Sequence, residues 1–165
     1  MMSVMLAGLT IRTYVPRDES ALLALVRELQ AHEGHLYDRM KPVEAIGTWY
    51  VAELEKQCAE SSGHILVAES EGAIVAYATI LCRVEDDSID EVPFTYAYVG
   101  DLAVTRACRG QGIGKVMLAE CERIAREAGA RWLRITVLAR NGEARAAYRS
   151  FGFAEQFIGL EKPIG

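Results

Sequence analysis

Three glycines crowd the entry to a helical pattern late in this 165-residue sequence. The segment runs Asp101-Leu102-Ala103-Val104-Thr105-Arg106-Ala107-Cys108-Arg109-Gly110-Gln111-Gly112-Ile113-Gly114-Lys115. A strand-like stretch ends at Val104, and glycines then let the backbone turn tightly and approach a ligand closely. Free N–H groups at a helix start point outward, and the helix dipole favours an anion there, so the segment is suited to phosphate. One such charge–dipole contact contributes only ~0.3–1 kcal/mol, so firm pyrophosphate binding needs several donors plus Arg109. Two nucleotide loops are set aside. The string GxxxxGK[ST] does not occur, and GxGxxG counted from Gly112 would need a third glycine where Met117 stands.

A second constellation follows. Val137-Leu138-Ala139-Arg140-Asn141 precedes Ala144, Ala147 and Tyr148, and then comes Phe151-Gly152-Phe153. The two segments together resemble the GCN5-related N-acetyltransferase (GNAT) family. Its signature is Arg/Gln-x-x-Gly-x-Gly/Ala after a strand of the form Asp/Glu-Leu-x-Val, matched here by Arg109–Gly114 after Asp101–Val104. Its second motif is a strand, an Asn, a short helix carrying Tyr, and Gly-Phe. The resemblance covers the chain from about Leu9 onward, as a single domain over 9–165 behind an extension at 1–8.

The resemblance implies a mixed, twisted α/β sheet of six or seven strands with helices on both faces. Two parallel strands, one ending at Val104 and the other at Trp132–Val137, would splay apart around acetyl-CoA as co-substrate. Main-chain groups of Leu102 and Val104 would pair with the pantetheine arm. Arg109, Gly110, Gln111, Gly112, Ile113, Gly114 and Lys115 would hold the pyrophosphate. Asn141 would bond the pantetheine, and Tyr148 would aim its hydroxyl at the thioester sulfur. The backbone N–H of Leu102 or Ala103 would meet the carbonyl oxygen.

Transfer to an amine poses two proton problems. A lysine-like amine has pKa ~10.4, so its neutral form is disfavoured at pH 7 by ~4.6 kcal/mol. The leaving thiolate benefits from a donor, and a phenol such as Tyr148 can supply it. Better-known family members often carry Glu at the position of Tyr98 or Gly100. Period-2 alternation puts residues 98, 100 and 102 on one face, where no carboxylate stands, and turns Asp101 the other way as a structural residue. A water chain ending at Glu33, His35 or Glu91 is the alternative, with Tyr98 beside the acceptor. Of the rest, His32 and His64 read as surface residues, Trp49 and Tyr50 as core, Cys108 as loop filler, and Arg145 and Arg149 as solvated.

The elements that must position these groups follow from periodicity and turn chemistry. Leu9–Tyr14 alternates as a strand, and Asp18 is placed to cap the helix striped by Leu22, Leu25, Val26 and Leu29. Pro42 opens a second helical pattern, with Ile46, Trp49, Tyr50 and Leu54 on one face. Ile65–Glu69 and Ala73–Cys82 flank Ser70-Glu71-Gly72, a hairpin signal. Val84–Pro93 reads as an acidic loop and Thr95–Val104 as a strand. Ile113–Ala128 has the strongest helical stripe, closed by Gly129. Trp132–Val137 alternates, Gly142–Phe151 is a short helix ending at Gly152, and Phe153–Leu160 fits one or two last strands.

Composition agrees with a soluble globular domain, at 51 % hydrophobic and 25 % charged residues. A net charge of −5 argues against nucleic acid as partner. No run of ~20 apolar residues suggests a membrane span. Cys58, Cys82, Cys108 and Cys121 form no CxxC, so neither a metal site nor a disulfide framework is expected, and the cytoplasm is the default. Residues 1–96 hold 7 Lys+Arg against 16 Asp+Glu, whereas 97–165 hold 11 against 7. That split suits an anionic ligand late in the chain and a cationic one facing its first half. The expectation is an N-acetyltransferase of small-molecule or peptide amines. An acyltransferase for longer acyl groups and a non-catalytic acyl-CoA sensor share the same features, although Tyr148 together with Asn141 favours an enzyme. A homodimer is left open.

Overall fold

Five strands make one sheet among the described residues, in the order β1-β2-β3-β4-β5. They are β1 (Leu9–Thr13), β2 (His64–Ser70), β3 (Ala73–Asp86), β4 (Phe94–Val104) and β5 (Leu133–Ile135). The computed structural model describes residues 8–165, so the expected extension at 1–8 lies, Gly8 apart, outside the described residues. The first four strands pair antiparallel, and β5 alone runs parallel to its neighbour β4. The β2–β3 turn has Glu71 at φ 51° and Gly72 at φ 79°, the double positive φ that matches a hairpin's twist.

Helices cover both faces. Helix α1 (Glu19–Gly34) and helix α2 (Thr48–Glu60) bury Leu22, Leu25, Val26, Val51, Leu54 and Cys58 against Ile65, Val67, Tyr77 and Ala103. Helix α3 (Ile113–Glu127) packs Ile113, Met117, Leu118, Cys121 and Ala125 on the opposite face, against Ala76, Ala78, Ala97 and Val99. Each fully buried Leu, Ile or Val contributes about 1.5–3 kcal/mol, so the two cores fix which way the sheet faces. Helix α4 (Gly142–Phe151) sits beside β5, ended by Gly152 at φ 112°.

Some sequence expectations are corrected here. Asp18 does not cap α1. Its buried carboxylate turns back to accept from the Val15 N–H at 3.0 Å and from Arg12 at 2.6 and 3.0 Å. Strand β3 continues through Asp86, so the acidic loop shortens to 87–93. Trp49 is 48 % exposed, because its neighbour Val51, not Trp49, faces the core, and its ring nitrogen donates to the Ala45 carbonyl at 3.0 Å.

Among the described residues the sheet has five strands rather than six or seven, since Phe153–Leu160 forms none. Its template is too short: β5 pairs over only three residues. Other contacts claim the segment. Arg145 and Arg149 grip Glu155 at 2.6 and 2.7 Å, so these arginines are not simply solvated. The Phe157 ring lies 5.4 Å from the Arg134 guanidinium, which also stacks on Phe94 and Tyr96 and pairs with Asp86.

Candidate active site

The site opens where β4 and β5 part. Their pairing covers Ala97–Val99 against Leu133–Ile135 and stops there, while β4 continues to Val104. Thr105 donates to the Val75 carbonyl at 2.8 Å, so alternation turns the main-chain groups of Thr105 and Ala103 toward β3. Those of Leu102 and Val104 face the gap left by β5. Of the two candidate oxyanion donors, it is therefore Leu102 whose N–H faces the gap. Ala103 does not: its amide turns to β3 and its methyl is buried under α1 and α2.

Directly beyond Val104 the chain makes a short 3-10 turn, Arg106–Cys108, and enters α3 through Gly112. Gly110 and Gly112 have φ 75° and 83°, a conformation that side chains rarely adopt, so glycine is required there by backbone shape. No side chain caps Gly112, and Val116 is the first residue to donate back, to the Gly112 carbonyl at 3.1 Å. The N–H groups of Ile113, Gly114 and Lys115 are consequently free for an anion. The Arg109 side chain is turned inward: Nε donates to the Val104 carbonyl at 3.0 Å, and Nη2 lies 3.5 Å from Glu28. Its observed work is to fasten the loop. Glu28, on α1, also accepts from Thr105 Oγ1 at 3.0 Å and from the Arg106 N–H. Sequence reasoning missed Glu28, whose helical neighbours give no sign of a contact made nearly eighty residues away.

Asn141 caps α4, its Oδ1 accepting from the Ala144 N–H at 3.1 Å. That leaves its NH2 group for a ligand. Tyr148, nearly two turns past Asn141 on α4, packs edge-on to Phe153 with ring centroids 6.0 Å apart. Its hydroxyl has no protein partner among the described residues. Burial first, then the charges of Glu33 and Tyr98, push its pKa up to about 12, so it holds its proton at neutral pH. Tyr148 and Tyr98 line one cavity of about 490 Å³, together with Phe153, Glu155 and Phe157.

Glu33, at the end of α1, lies close enough to Tyr148, Tyr50 and Asp101 to perturb or be perturbed by each. Burial, and then the Asp101 charge, raise its pKa. His35 is exposed past the end of the same helix, and Glu91 sits on the exposed tip of the β3–β4 hairpin. Seven residues of extended chain, roughly 23 Å, separate Phe94 from Asp101, so the tip and Glu91 lie far from Asp101.

The expected face assignment of β4 also changes. Ala78 pairs with Leu102 but Ile80 pairs with Val99, so Gly100 and Asp101 together oppose Thr79 in a β-bulge. A side chain at Gly100 would stand 2.7 Å from Thr79 Oγ1, which explains the glycine. The inserted residue reverses the alternation. Val99 and Leu102 now share the α3 side, and Asp101 joins Tyr98 on the side of α1 and α2. There Asp101 Oδ2 accepts from Tyr77 at 2.9 Å and from Tyr50 at 3.1 Å. Tyr50 thus makes a polar contact as well as packing in the core.

A parted pair of parallel strands thus has a bare helix N-terminus at its mouth and a tyrosine on the cavity beside it. The chain belongs to the acetyltransferase (GNAT) family, whose model matches residues 26–153. Structural neighbours agree in fold. A mutant of the BH1408 protein from Bacillus halodurans superposes with a TM-score of 0.83 at 22 % identity, covering 94 % of this chain and 99 % of that one. A GCN5-related N-acetyltransferase from Ralstonia eutropha gives 0.71 at 20 %, over 95 % and 99 %. An aminoglycoside antibiotic 6'-N-acetyltransferase from Acinetobacter haemolyticus gives 0.69 at 16 %, over 94 % and 99 %. No curated protein matches the sequence significantly.

Proposed function

We propose that this chain is an N-acetyltransferase that moves an acetyl group from acetyl-CoA directly to a primary amine of a small molecule or peptide. The observation that carries this reading is the alignment of two sets of main-chain groups, those of Leu102 with the Val104 N–H at the strand gap and the N–H groups of Ile113–Lys115 at the start of α3. The first set suits an amide-bearing arm and the second a pyrophosphate, in the order that coenzyme A presents them.

The bound co-substrate supplies an activated acetyl thioester. The Gly110–Lys115 loop and Gln111 hold its phosphates, and the Asn141 NH2 and the main chain of β4 orient its arm. Leu102 N–H sits where a carbonyl oxygen gaining charge would be stabilised. Tyr148, protonated at neutral pH, gives its proton to the departing sulfur. Glu33 and Tyr98 flank the acceptor. The acidic first half of the sequence favours a cationic amine, a charge match that also raises encounter rates. The aminoglycoside acetyltransferase likeness is consistent with a polar, cationic acceptor. Four free cysteines suit a reducing cytoplasm.

The test is thiol release from acetyl-CoA in the presence of cationic, neutral and acidic amines. Release that requires a cationic amine is expected. Tight acetyl-CoA binding with no release to any amine would identify a sensor instead, and faster release from a longer acyl-CoA would reassign the donor.

A further inference from the structure

Family membership leaves the proton acceptor unassigned, because positions 98 and 100 carry Tyr and Gly. Asp101 is held in an unusual way. Two tyrosine hydroxyls from different elements, Tyr77 on β3 and Tyr50 on α2, donate to the same oxygen, Oδ2. Its own N–H is tied to Thr79 Oγ1 at 2.8 Å across the bulge. Oδ1 accepts from no protein group among the described residues. It is not sealed in either, since no buried side-chain oxygen lacks a partner among them. A carboxylate clamped on one edge and left open on the other is oriented to accept from a ligand. The β-bulge places it on the same face as Tyr98 and next to Glu33, which in turn influences Tyr148.

Resting on the acetyltransferase reading above, we infer that Asp101 is the general base, its Oδ1 taking a proton from the cationic acceptor amine while Tyr50 and Tyr77 act as positioning residues. The balance is as follows. The ammonium proton passes to Asp101 Oδ1, and the freed nitrogen pair forms the N–C bond to the acetyl carbon. The C–S bond breaks with its pair to sulfur, which takes the Tyr148 proton. The nitrogen's second proton restores Tyr148 through water, and Asp101 returns its own to solvent. One amide, one thiol and one proton result.

Burial raises the Asp101 pKa above the usual carboxylate range, and the two tyrosine bonds oppose that rise. The titratable groups that face it are Tyr77, Tyr50 and Cys58, with Glu33 from α1. Because the folded pKa is raised, ionised Asp101 costs stability as pH rises through that value.

Asp101→Asn keeps an oxygen for the tyrosines and removes the base. The expected result is a loss of ~10²–10⁴-fold in kcat/KM at neutral pH. Acetyl-CoA affinity should be unchanged by calorimetry and Tm equal or higher. The acid limb of the wild-type pH profile should give way to a rate that climbs with hydroxide toward the amine pKa. Glu33→Gln should retain the limb, whereas Tyr50→Phe, which loses one stabilising bond, should move it to higher pH. Wild-type rate with an intact limb in Asp101→Asn overturns the assignment. If Asp101→Asn does not fold, an unmoved limb in Tyr50→Phe does so. A wild-type protein that acetylates no amine refutes the underlying reading instead, and the assignment with it.

Discussion

Replacing Gly112 with Asp puts a carboxylate at the N-terminus of α3, where we propose that the pyrophosphate binds. The folded state should tolerate it. No atom lies within 4 Å of a Cβ built there, so nothing clashes. The φ of 83° costs an ordinary residue about 1–2 kcal/mol, at the low end for Asp. An Asp at a helix N-cap returns about 0.5–2 kcal/mol by accepting the free N–H groups. The two nearly cancel, and far-UV spectra and Tm should change little. Binding should not survive. The new charge occupies the donors and stands about 4 Å from a phosphate charge, a repulsion of ~4 kcal/mol at an effective dielectric constant of 20. That is about a 10³-fold loss in coenzyme A affinity. Gly112→Ala carries the backbone strain without the charge and should lose far less. Titration calorimetry at two salt concentrations separates the terms, because only the Asp variant should recover partly as salt screens the repulsion. A folded Gly112→Asp protein with wild-type affinity would refute the placement of the phosphates.

Tyr148→Phe removes a hydroxyl with no protein partner among the described residues, so Tm should hold while kcat falls at least ~10-fold with chemistry rate-limiting and coenzyme A affinity kept. For a cationic acceptor, kcat/KM should fall as salt rises, since screening shortens to ~8 Å at physiological ionic strength, and a salt-independent preference for acidic amines would contradict the charge match. Asp18→Asn should cost about 2 kcal/mol, less than a fully buried pair because Arg12 is 26 % exposed and keeps Glu69. Arg12 and the Val15 N–H hold the Asp18 pKa below the usual value, so that stability is present above pH ~3.9 and disappears as pH falls through the folded pKa. Urea titrations of the two proteins should therefore converge in acid.

The parts of the fold set by periodicity were legible in the sequence. The α3 stripe at Ile113, Met117, Cys121 and Ala125 and the Glu71-Gly72 turn needed only local spacing. The glycine turn at the mouth of α3 was legible for the same reason, since glycine at a helix start has a local meaning. What failed depended on distant partners. Phe153–Leu160 has a strand's composition, yet β5 offers too short an edge and Glu155 and Phe157 are claimed by arginines. Asp18 sits where a cap belongs, but Arg12 on β1 outcompetes the helix N–H groups for its carboxylate. Strict alternation along β4 hid Asp101. The one available sign was Gly100, since a glycine inside a strand often marks a bulge. The tyrosines that clamp Asp101 come from elements whose register no local pattern reveals.

The central claim is direct transfer of an acetyl group to nitrogen within this site. Acetyl-CoA labelled with carbon-13 at the acetyl carbonyl, followed by NMR with a cationic amine present, tests it most plainly. The label should leave the thioester signal and appear as an amide of the amine, with equal release of thiol and no labelled protein. Label that remains on the thioester while acetyl-CoA stays bound, or that collects on a residue such as Cys108, would contradict it.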